Sequence, residues 1–253
     1  MPDDDSGTTD PKRTLDLEIE RLGVACDATT RMAFDRYLDL IREWNERAGL
    51  TGITDPAEVV RRLFGESIAL LVALQGANLV PTAEVVRVAD LGTGGGFPGL
   101  PMRLIEPRLE VVLIESQRRR CEFLEAATAS LGLEDVAVVN ARAEDAGRDE
   151  ALRETFDLVV ARAVAPLPVL VEYALPLLRR GGLLATPKGS RAAEELTEAG
   201  AAIEALGGVA LESVALSLPV GAPPQQVLLV RREGDLDDRY PRRAGIPSKR
   251  PLA

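Results

Sequence analysis

Glycines crowd the stretch that follows the short apolar run Val85–Leu91, and four of them fall close together: Gly92, Gly94, Gly95 and Gly96. A run rich in β-branched residues that ends in glycine is typical of a buried strand. Because glycine has no Cβ and tolerates positive φ, such a backbone can turn sharply and contact a ligand. Pro98 then suits the first turn of a helix. Together these features predict a ligand site at the carboxyl end of a parallel strand.

Two classes of ligand fit this turn. Gly94, Gly96 and Gly99 satisfy the Gly-x-Gly-x-x-Gly spacing of dinucleotide sites, which is a weak signal by itself. Asp90 and Gly92 extend the pattern to Asp-x-Gly-x-Gly-x-Gly, which resembles motif I of class I methyltransferases, where the turn packs on S-adenosylmethionine. The third alternative is a turn without a ligand, but such a turn needs one or two glycines and not four.

Polar residues follow the next two predicted strands. Glu115 closes the second strand, where an acid can accept hydrogen bonds from both ribose hydroxyls of either ligand. Its alternative role is that of a neighbour of a helix N-cap. The segment Asn140–Asp145 follows the third strand, where methyltransferases contact the adenine; the alternative is a polar loop or helix start.

The segment after the fourth predicted strand, Ala161–Ala165, faces the methyl group in a methyltransferase. It lacks the Asn/Asp-Pro-Pro-aromatic motif that usually accompanies methylation of exocyclic amines. Cys121 lies in the predicted helix after Glu115, the wrong place for a cysteine nucleophile. The remaining possibility is a methyl acceptor that needs neither a general base nor a covalent intermediate, such as guanine N7. Catalysis then depends mostly on positioning.

Two cations end strands at the same edge of the predicted sheet. Arg162 can hold guanine O6 or a phosphate, or stack on the base. Lys188, after the fifth strand, can contact a phosphate or a base. For both, the alternative is a solvated surface charge. These two are the candidate catalytic residues.

Composition excludes several other kinds of site. The 253 residues include no histidine, which excludes a histidine base and histidine metal ligands. Cys26 and Cys121 give neither zinc nor disulfide spacing, so no metal is expected. No signal peptide is apparent, and the longest apolar run, Ile68–Leu74, is too short to span a membrane, so we expect a cytoplasmic monomer without membrane contact. At a net charge of −10, nucleic acid must be bound by local positive patches.

The sequence of the first third of the chain predicts a tail followed by a helical region. Residues 1–13 are acidic and predict a disordered tail. Residues 14–80 predict a small helical region with three helices: Leu15–Leu22, Thr30–Arg47 and Ala57–Leu74. Asp27 or Thr29 can cap the second, and Asp55 the third. The region either covers one edge of the main domain or walls a substrate cleft.

Residues 81–232 alternate between strands and helices, which predicts an α/β domain with a parallel sheet covered on both faces. The predicted strands are Val85–Leu91, Glu110–Ile114, Val136–Asn140, Asp157–Arg162, Gly182–Pro187, Gly208–Ser217 and Gln226–Arg232. The predicted helices are Pro98–Glu106, Gln117–Leu131, Pro166–Arg179 and Arg191–Leu206. The last two strands are too close in sequence for a parallel crossover, so the sheet should end antiparallel, as in a class I methyltransferase.

The end of the chain, residues 233–253, predicts a basic tail. From Arg239 onward it carries five cations and no acid. Such a segment can contact RNA phosphates. The competing interpretation is that Tyr240 and Ile246 pack on the domain and the tail is structural.

Several distinctive motifs resemble the RsmG/GidB family: LGTGGGFPGLPM, NARAED, ARAVAPL, PKG and YPRRAGIPSKRPL. The resemblance implies a Rossmann-like class I methyltransferase that transfers a methyl group from S-adenosylmethionine to guanine N7 of 16S ribosomal RNA, free or in an assembling 30S subunit. It also implies a set of donor-binding residues: Gly92, Gly94, Phe97, Glu115, Ala143, Glu144 and Arg162. Arg162 and Lys188 match the family's cations implicated in RNA binding or catalysis.

The chain departs from the family pattern at two places. Gly49 stands where the family usually has Asn, and Leu63 where it often has His. Both lie in the helical region, which leaves open a diverged relative that binds donor and RNA with little transfer. A nicotinamide-dependent oxidoreductase is the remaining alternative and rests on the glycine spacing alone.

Overall fold

The structure, a computed structural model, describes residues 10–81 and 83–252. Its N-terminal part is helical: α1 (Pro11–Leu22), α2 (Ala28–Ala48), α3 (Pro56–Val59), a π-helical segment (Val60–Gly65) and α4 (Glu66–Gly76). The predicted disordered tail lies mostly outside the described residues, but its last part is helical. Asp10 caps α1 by accepting the N–H of Lys12 at 3.1 Å, and Pro11 suits the first turn.

Two predicted caps are confirmed. Asp27 accepts the N–H of Thr30 at 2.7 Å, and Asp55 accepts the N–H of Glu58 at 2.9 Å. The single helix predicted over residues 57–74 is wrong, because the π-helical segment interrupts it. Gly65 ends that segment where α1 packs closely: a Cβ there would lie 2.8 Å from the carboxylate of Glu18.

Eight strands form one sheet: β1 (Val86–Leu91), β2 (Leu109–Glu115), β3 (Ala137–Asn140), β4 (Phe156–Val160), β5 (Leu178–Lys188), β6 (Gly208–Ala210), β7 (Val214–Ala215) and β8 (Gln226–Arg232). Their spatial order is β3-β2-β1-β4-β5-β8-β6, and β7 also pairs with β8. Strands β1 to β5 are parallel, whereas β8 is antiparallel to β5, β6 and β7. The predicted antiparallel end is therefore confirmed.

The remaining helices are α5 (Gly99–Ile105), α6 (Arg118–Leu131), α7 (Ala143–Ala146), α8 (Leu167–Ala174), α9 (Ala192–Glu198), α10 (Gly200–Ala205) and α11 (Ile246–Lys249). The N-terminal helices, α5 and α6 cover one face of the sheet, and α8 to α10 cover the other. Helix α8 ends before its predicted end at Arg179, because Pro176 lacks an N–H and disfavours helical backbone before it.

An aromatic cluster joins the N-terminal helices to the glycine-rich turn. The fully buried ring of Tyr37 stacks on Phe64 at 5.2 Å and on Phe97 at 5.6 Å between centroids. Phe123 of α6 lies between Tyr37 and Trp44 and contacts both rings. The helical region is thus packed against the α/β domain through the turn itself, so a change in these rings reaches the turn directly.

The C-terminal segment, residues 239–252, packs on the domain. Arg242 forms a bidentate ion pair with Glu172, a fully buried acid of α8, at 2.6 to 3.1 Å. Tyr240 is buried, and the N–H of Gly245 donates to Glu144 Oε1 at 2.7 Å. The structural interpretation is therefore confirmed for Tyr240, whereas the predicted packing of Ile246 is wrong because its side chain is exposed. A contact between RNA and the exposed cations of this segment stays a prediction.

Replacing Arg242 with alanine should lower the free energy of unfolding by about 3–5 kcal/mol, because the buried charge of Glu172 would lose its counter-charge and keep only the backbone N–H of residue 242 as a donor. The double variant Arg242→Ala/Glu172→Leu should regain part of this loss. Arg243→Ala is the matched control and should change stability by less than about 0.5 kcal/mol. Urea unfolding measures all three; an Arg242→Ala variant as stable as the control would mean that the ion pair does not hold the segment.

Candidate functional site

The glycine turn, residues 92–99, lies at the carboxyl end of β1. Gly94 has φ +60°, and a Cβ built on it would meet nothing within 4 Å, so this side of the turn opens into a cavity. Gly96 has φ +94°, and a Cβ there would collide with Leu100 at 2.5 Å. The turn therefore requires glycine for its backbone at Gly96, and it presents bare backbone to a ligand at Gly94.

Asp90 holds the turn in shape. Its Oδ2 accepts hydrogen bonds from the Thr93 hydroxyl at 2.5 Å and the Gly99 N–H at 2.7 Å. The side chain is fully buried, and burial raises the pKa of Asp90 to about 6. No group in the described ranges donates to its Oδ1. From the other side, the Tyr37 hydroxyl donates to the carbonyl of Gly95.

A large cavity of about 760 Å³ opens beside the turn. Four of the residues predicted from the sequence line it: Gly92, Gly94, Phe97 and Arg162. Lys188 lines it too, from the end of β5. The opposite wall comes from the N-terminal region and includes Arg62, Leu63 and Glu66. The structure thus brings together residues that are far apart in sequence.

The side chain of Arg162 lines the large cavity. Its guanidinium lies 5.4 Å from the centre of the Phe97 ring and donates to the carbonyl of Arg62 at 3.1 Å. Glu66 faces it, with 3.7 Å between Oε2 and Nη1. Only 17% of the Arg162 side chain is exposed, so the alternative of a solvated surface charge is wrong.

Lys188 is held by neighbouring residues. Its ammonium group donates to the carbonyl of Ala165 at 2.9 Å and lies 2.7 Å from Oε2 of Glu195. The same Glu195 oxygen accepts the N–H of Leu167, the first residue of α8. Because an ammonium group has three N–H donors, one stays available to a ligand. Lys188 thus ties the loop after β4 to α9, and its contact with substrate stays a prediction.

A small cavity of about 250 Å³ lies on the other side of Gly92. Ala143 and Glu144, at the start of α7, line it together with Tyr173. Glu144 is nearly buried, and one of its oxygens accepts the N–H of Gly245. The C-terminal segment therefore helps to position a residue of this cavity.

Glu115 lies close to both cavities without lining either of them. Its Oε2 accepts the N–H of Gly94 at 3.0 Å, and its Oε1 accepts the N–H of Gln117 at 2.7 Å. The alternative interpretation, a role beside a helix N-cap, is confirmed by the Gln117 contact, and the carboxylate also contacts the turn. Its contact with a ribose stays a prediction, and such a contact would compete with the Gly94 hydrogen bond.

The two departures from the family pattern have different structural consequences. Gly49 is the C-cap of α2 at φ +59°, a left-handed backbone that glycine and asparagine both adopt. The helix end therefore keeps its shape without the asparagine side chain. Leu63 is different, because it lines the large cavity and places an apolar group there.

Sequence reasoning missed Glu66 and Arg62 as members of the site. Both residues lie within the helix predicted over residues 57–74, and its periodicity does not show which face meets a cavity. Burial raises the pKa of Glu66, and Arg162 opposes that shift. Cys121, by contrast, is buried and its thiol lies 3.3 Å from the carbonyl of Glu115, away from the cavity lining.

The described residues contain no group of three or more Cys, Asp or Glu side chains placed to hold a metal ion. In the same ranges, no helix has the length and apolar character needed to cross a bilayer.

Comparisons with known proteins give consistent matches. A family model described as GidB, rRNA small subunit methyltransferase G, matches residues 30–220. The ribosomal RNA small subunit methyltransferase G of Desulfitobacterium hafniense is 42% identical over 236 residues, covering 93% of this chain and 95% of that protein. Its namesake from Symbiobacterium thermophilum is 43% identical over 243 residues, covering 94% and 96%.

Among solved structures, fibrillarin from Aeropyrum pernix in complex with S-adenosyl-L-methionine matches with a TM-score of 0.50 and 20% identity. The match covers 64% of this chain and 72% of fibrillarin. At this identity the likeness concerns the fold alone.

The buried acid of the turn makes stability depend on pH. The pKa of Asp90 rises from 3.8 to about 6 on folding, so the folded state holds this proton more tightly. Stability should therefore fall by about 3 kcal/mol as pH rises from about 4 through 6, and then level off. Asp90→Asn should remove this part of the pH dependence. Urea unfolding from pH 4.5 to 7.5 measures it, and parallel curves for the two proteins would contradict the assignment.

Proposed function

This chain belongs to the rRNA small subunit methyltransferase G family, and we propose that it transfers a methyl group from S-adenosylmethionine to N7 of a guanine in 16S ribosomal RNA. The resemblance seen in the sequence motifs is thereby confirmed. So is the class I methyltransferase fold, with its parallel sheet and antiparallel end. Membership in a methyltransferase family decides against the nicotinamide-dependent alternative.

The two cavities beside the glycine turn fit the two ends of the donor. In this proposal Ala143 and Glu144 contact the adenine in the small cavity, and Glu115 accepts hydrogen bonds from the ribose. The methionine part lies along Gly92, Gly94 and Phe97 toward the large cavity. The fit rests on the open side of Gly94, where any side chain would occupy the ligand's space. When bound, the donor supplies a methyl group on a positively charged sulfur.

The observation that carries the choice of acceptor is the make-up of the large cavity. Its wall presents Arg162 and Lys188, both within hydrogen-bonding reach of incoming polar atoms, but no histidine or cysteine. Guanine N7 needs neither, because its lone pair forms the new N–C bond directly while the C–S electrons return to sulfur. No proton leaves the base. Positioning and exclusion of water then supply the catalysis.

In this proposal Arg162 donates to guanine O6, which lies beside N7 on the same edge of the base. Phe97 and Glu66 hold the guanidinium on two sides, so the group is oriented before the base arrives. Lys188 keeps the loop that carries Arg162 in place and has one donor left for RNA. Both groups are therefore positioned by neighbours that the substrate does not have to displace.

A diverged relative with little transfer is the competing function, and Leu63 is the feature that favours it. Leu63 places an apolar side chain in the cavity at the position where the family pattern often has histidine. The backbone role of Gly49 gives that alternative no support, since the C-cap is intact. A methyl-transfer assay separates the two functions.

The direct test is methyl transfer in vitro. Purified protein is incubated with S-adenosylmethionine and small ribosomal subunits from a strain that lacks this gene, and the RNA is digested and analysed by mass spectrometry. We expect 7-methylguanosine at one position. A different methylated nucleoside would overturn the choice of acceptor, and donor binding without transfer would favour the diverged relative.

Gly94→Val should abolish binding of S-adenosylmethionine, because the side chain would both strain a positive-φ backbone and fill the cavity. The matched control is Gly52→Val, at an exposed glycine without neighbours and without positive φ. Calorimetry measures the affinity, and the melting temperature confirms folding. A folded Gly94→Val variant with unchanged affinity would place the donor elsewhere.

Arg162→Ala should lower kcat by about 100-fold, the usual effect of losing one donor to a reacting group, with little change in donor affinity. Arg162→Lys should restore little, because the planar fork over Phe97 is lost. Arg191→Ala, at an exposed arginine, is the control. Full activity of the lysine variant would reduce the role of Arg162 to that of a point charge.

A further inference from the structure

We infer that Glu66 recognises the Watson–Crick edge of the substrate guanine and selects guanine over adenine. The inference rests on the proposed function and concerns a residue that no sequence motif assigned to the site. Glu66 begins α4, and its carboxylate lines the large cavity opposite the glycine turn. The side chain is 19% exposed, so it is partly desolvated and still reachable by a ligand.

Three protein groups follow one another across the cavity. The Glu66 carboxylate lies 3.7 Å from the Arg162 guanidinium, and that guanidinium lies 5.4 Å from the Phe97 ring beside the glycine turn. Arg162 thus links the Glu66 acceptor on the helical wall to the turn. With the methyl donor bound along the turn as proposed, the groups follow in the order acceptor, donor, methyl source.

The polar atoms of guanine run in the matching order. Along one side of the base come the N1–H and N2–H₂ donors, then the O6 acceptor, then the N7 acceptor. A base with N7 toward the glycine turn places O6 at Arg162 and turns its N–H donors toward Glu66. A carboxylate accepts from both donors at once, since it has two oxygens and no hydrogen of its own.

Adenine presents the opposite pattern of hydrogen-bond donors and acceptors to the same protein groups. Its N6–H₂ donor would face the guanidinium, which only donates, and its N1 lone pair would face the carboxylate, which only accepts. Both contacts would leave buried polar groups unpaired. Sites built in this way reject the wrong partner far more strongly than apolar pockets do.

Neighbouring groups favour the charged form of Glu66, which is the form that accepts two hydrogen bonds. Against the effect of burial, Arg162, Arg62 and Gln225 each lower the pKa of Glu66, and Arg162 is the cation that contacts its carboxylate. The ion-pair distance of 3.7 Å is longer than a hydrogen bond, so an incoming base does not have to break a short contact.

The test combines a protein change with a base change. Small subunits are reconstituted on RNA that carries either guanine or inosine at the methylated position, and inosine lacks only the N2 amino group. In the parent protein, inosine should lower kcat/KM about 10-fold or more, as expected for the loss of a hydrogen bond to a charged group. Glu66→Gln should lower kcat/KM for guanine by about 10- to 100-fold, and inosine should then cost little more.

Three outcomes would overturn the inference. An inosine penalty as large in Glu66→Gln as in the parent would mean that Glu66 only positions Arg162. A product methylated at N1 in the parent would make Glu66 a base and not a recognition group. Equal activity of Glu66→Gln and the parent would remove Glu66 from substrate binding.

Two controls distinguish a specific role of Glu66 from a general effect of the charge change and from a loss of donor binding. Glu46→Gln makes the same charge change at an exposed position of α2 and should behave as the parent. Calorimetry with S-adenosylmethionine should give unchanged donor affinity for Glu66→Gln. Absence of any methyl transfer by the parent would contradict the proposed function, whereas transfer with additive penalties contradicts only the role of Glu66.

Discussion

The buried carboxylate of Asp90 is the interaction on which the site depends. It ties the start of the glycine turn to the start of α5 through Thr93 and Gly99, and it does so while fully buried. Burying a charge is unfavourable, so this arrangement costs stability at neutral pH. The cost is consistent with a turn that must keep one shape while its outer side stays open to a ligand.

Separate parts of the chain meet at this turn. The N-terminal helices reach it through Tyr37 and form the far wall of the large cavity. The C-terminal segment reaches the small cavity through the hydrogen bond between Gly245 and Glu144. Both ends of the chain thus contribute to a site whose centre is the carboxyl edge of the parallel strands. Damage at either end should therefore affect ligand binding as well as stability.

Much of the fold follows from local pattern. The β-branched runs, the glycine turn and the short connection before β8 predicted the sheet and its antiparallel end, because burial and loop length constrain both. The π-helical segment could not be predicted, since the apolar periodicity of the sequence does not distinguish it from an α-helix, and Gly65 at its end lies against Glu18, a residue distant in sequence. The site residues at the strand ends could be predicted as well, because the carboxyl ends of parallel strands meet at one edge of the sheet. Three features depend on tertiary contacts that no local pattern shows. They are the place of Glu66 in the site, the ion pair of Lys188 with Glu195 and the folded C-terminal segment.

We propose that the glycine turn divides one continuous site, with the donor's nucleoside on one side and its sulfur facing the acceptor on the other. A crystal structure with S-adenosylhomocysteine would show where each part binds. We expect adenine beside Ala143 and Glu144, and the sulfur in the large cavity near Gly94, facing Arg162. A ligand bound away from the turn, or with its sulfur in the small cavity, would contradict it.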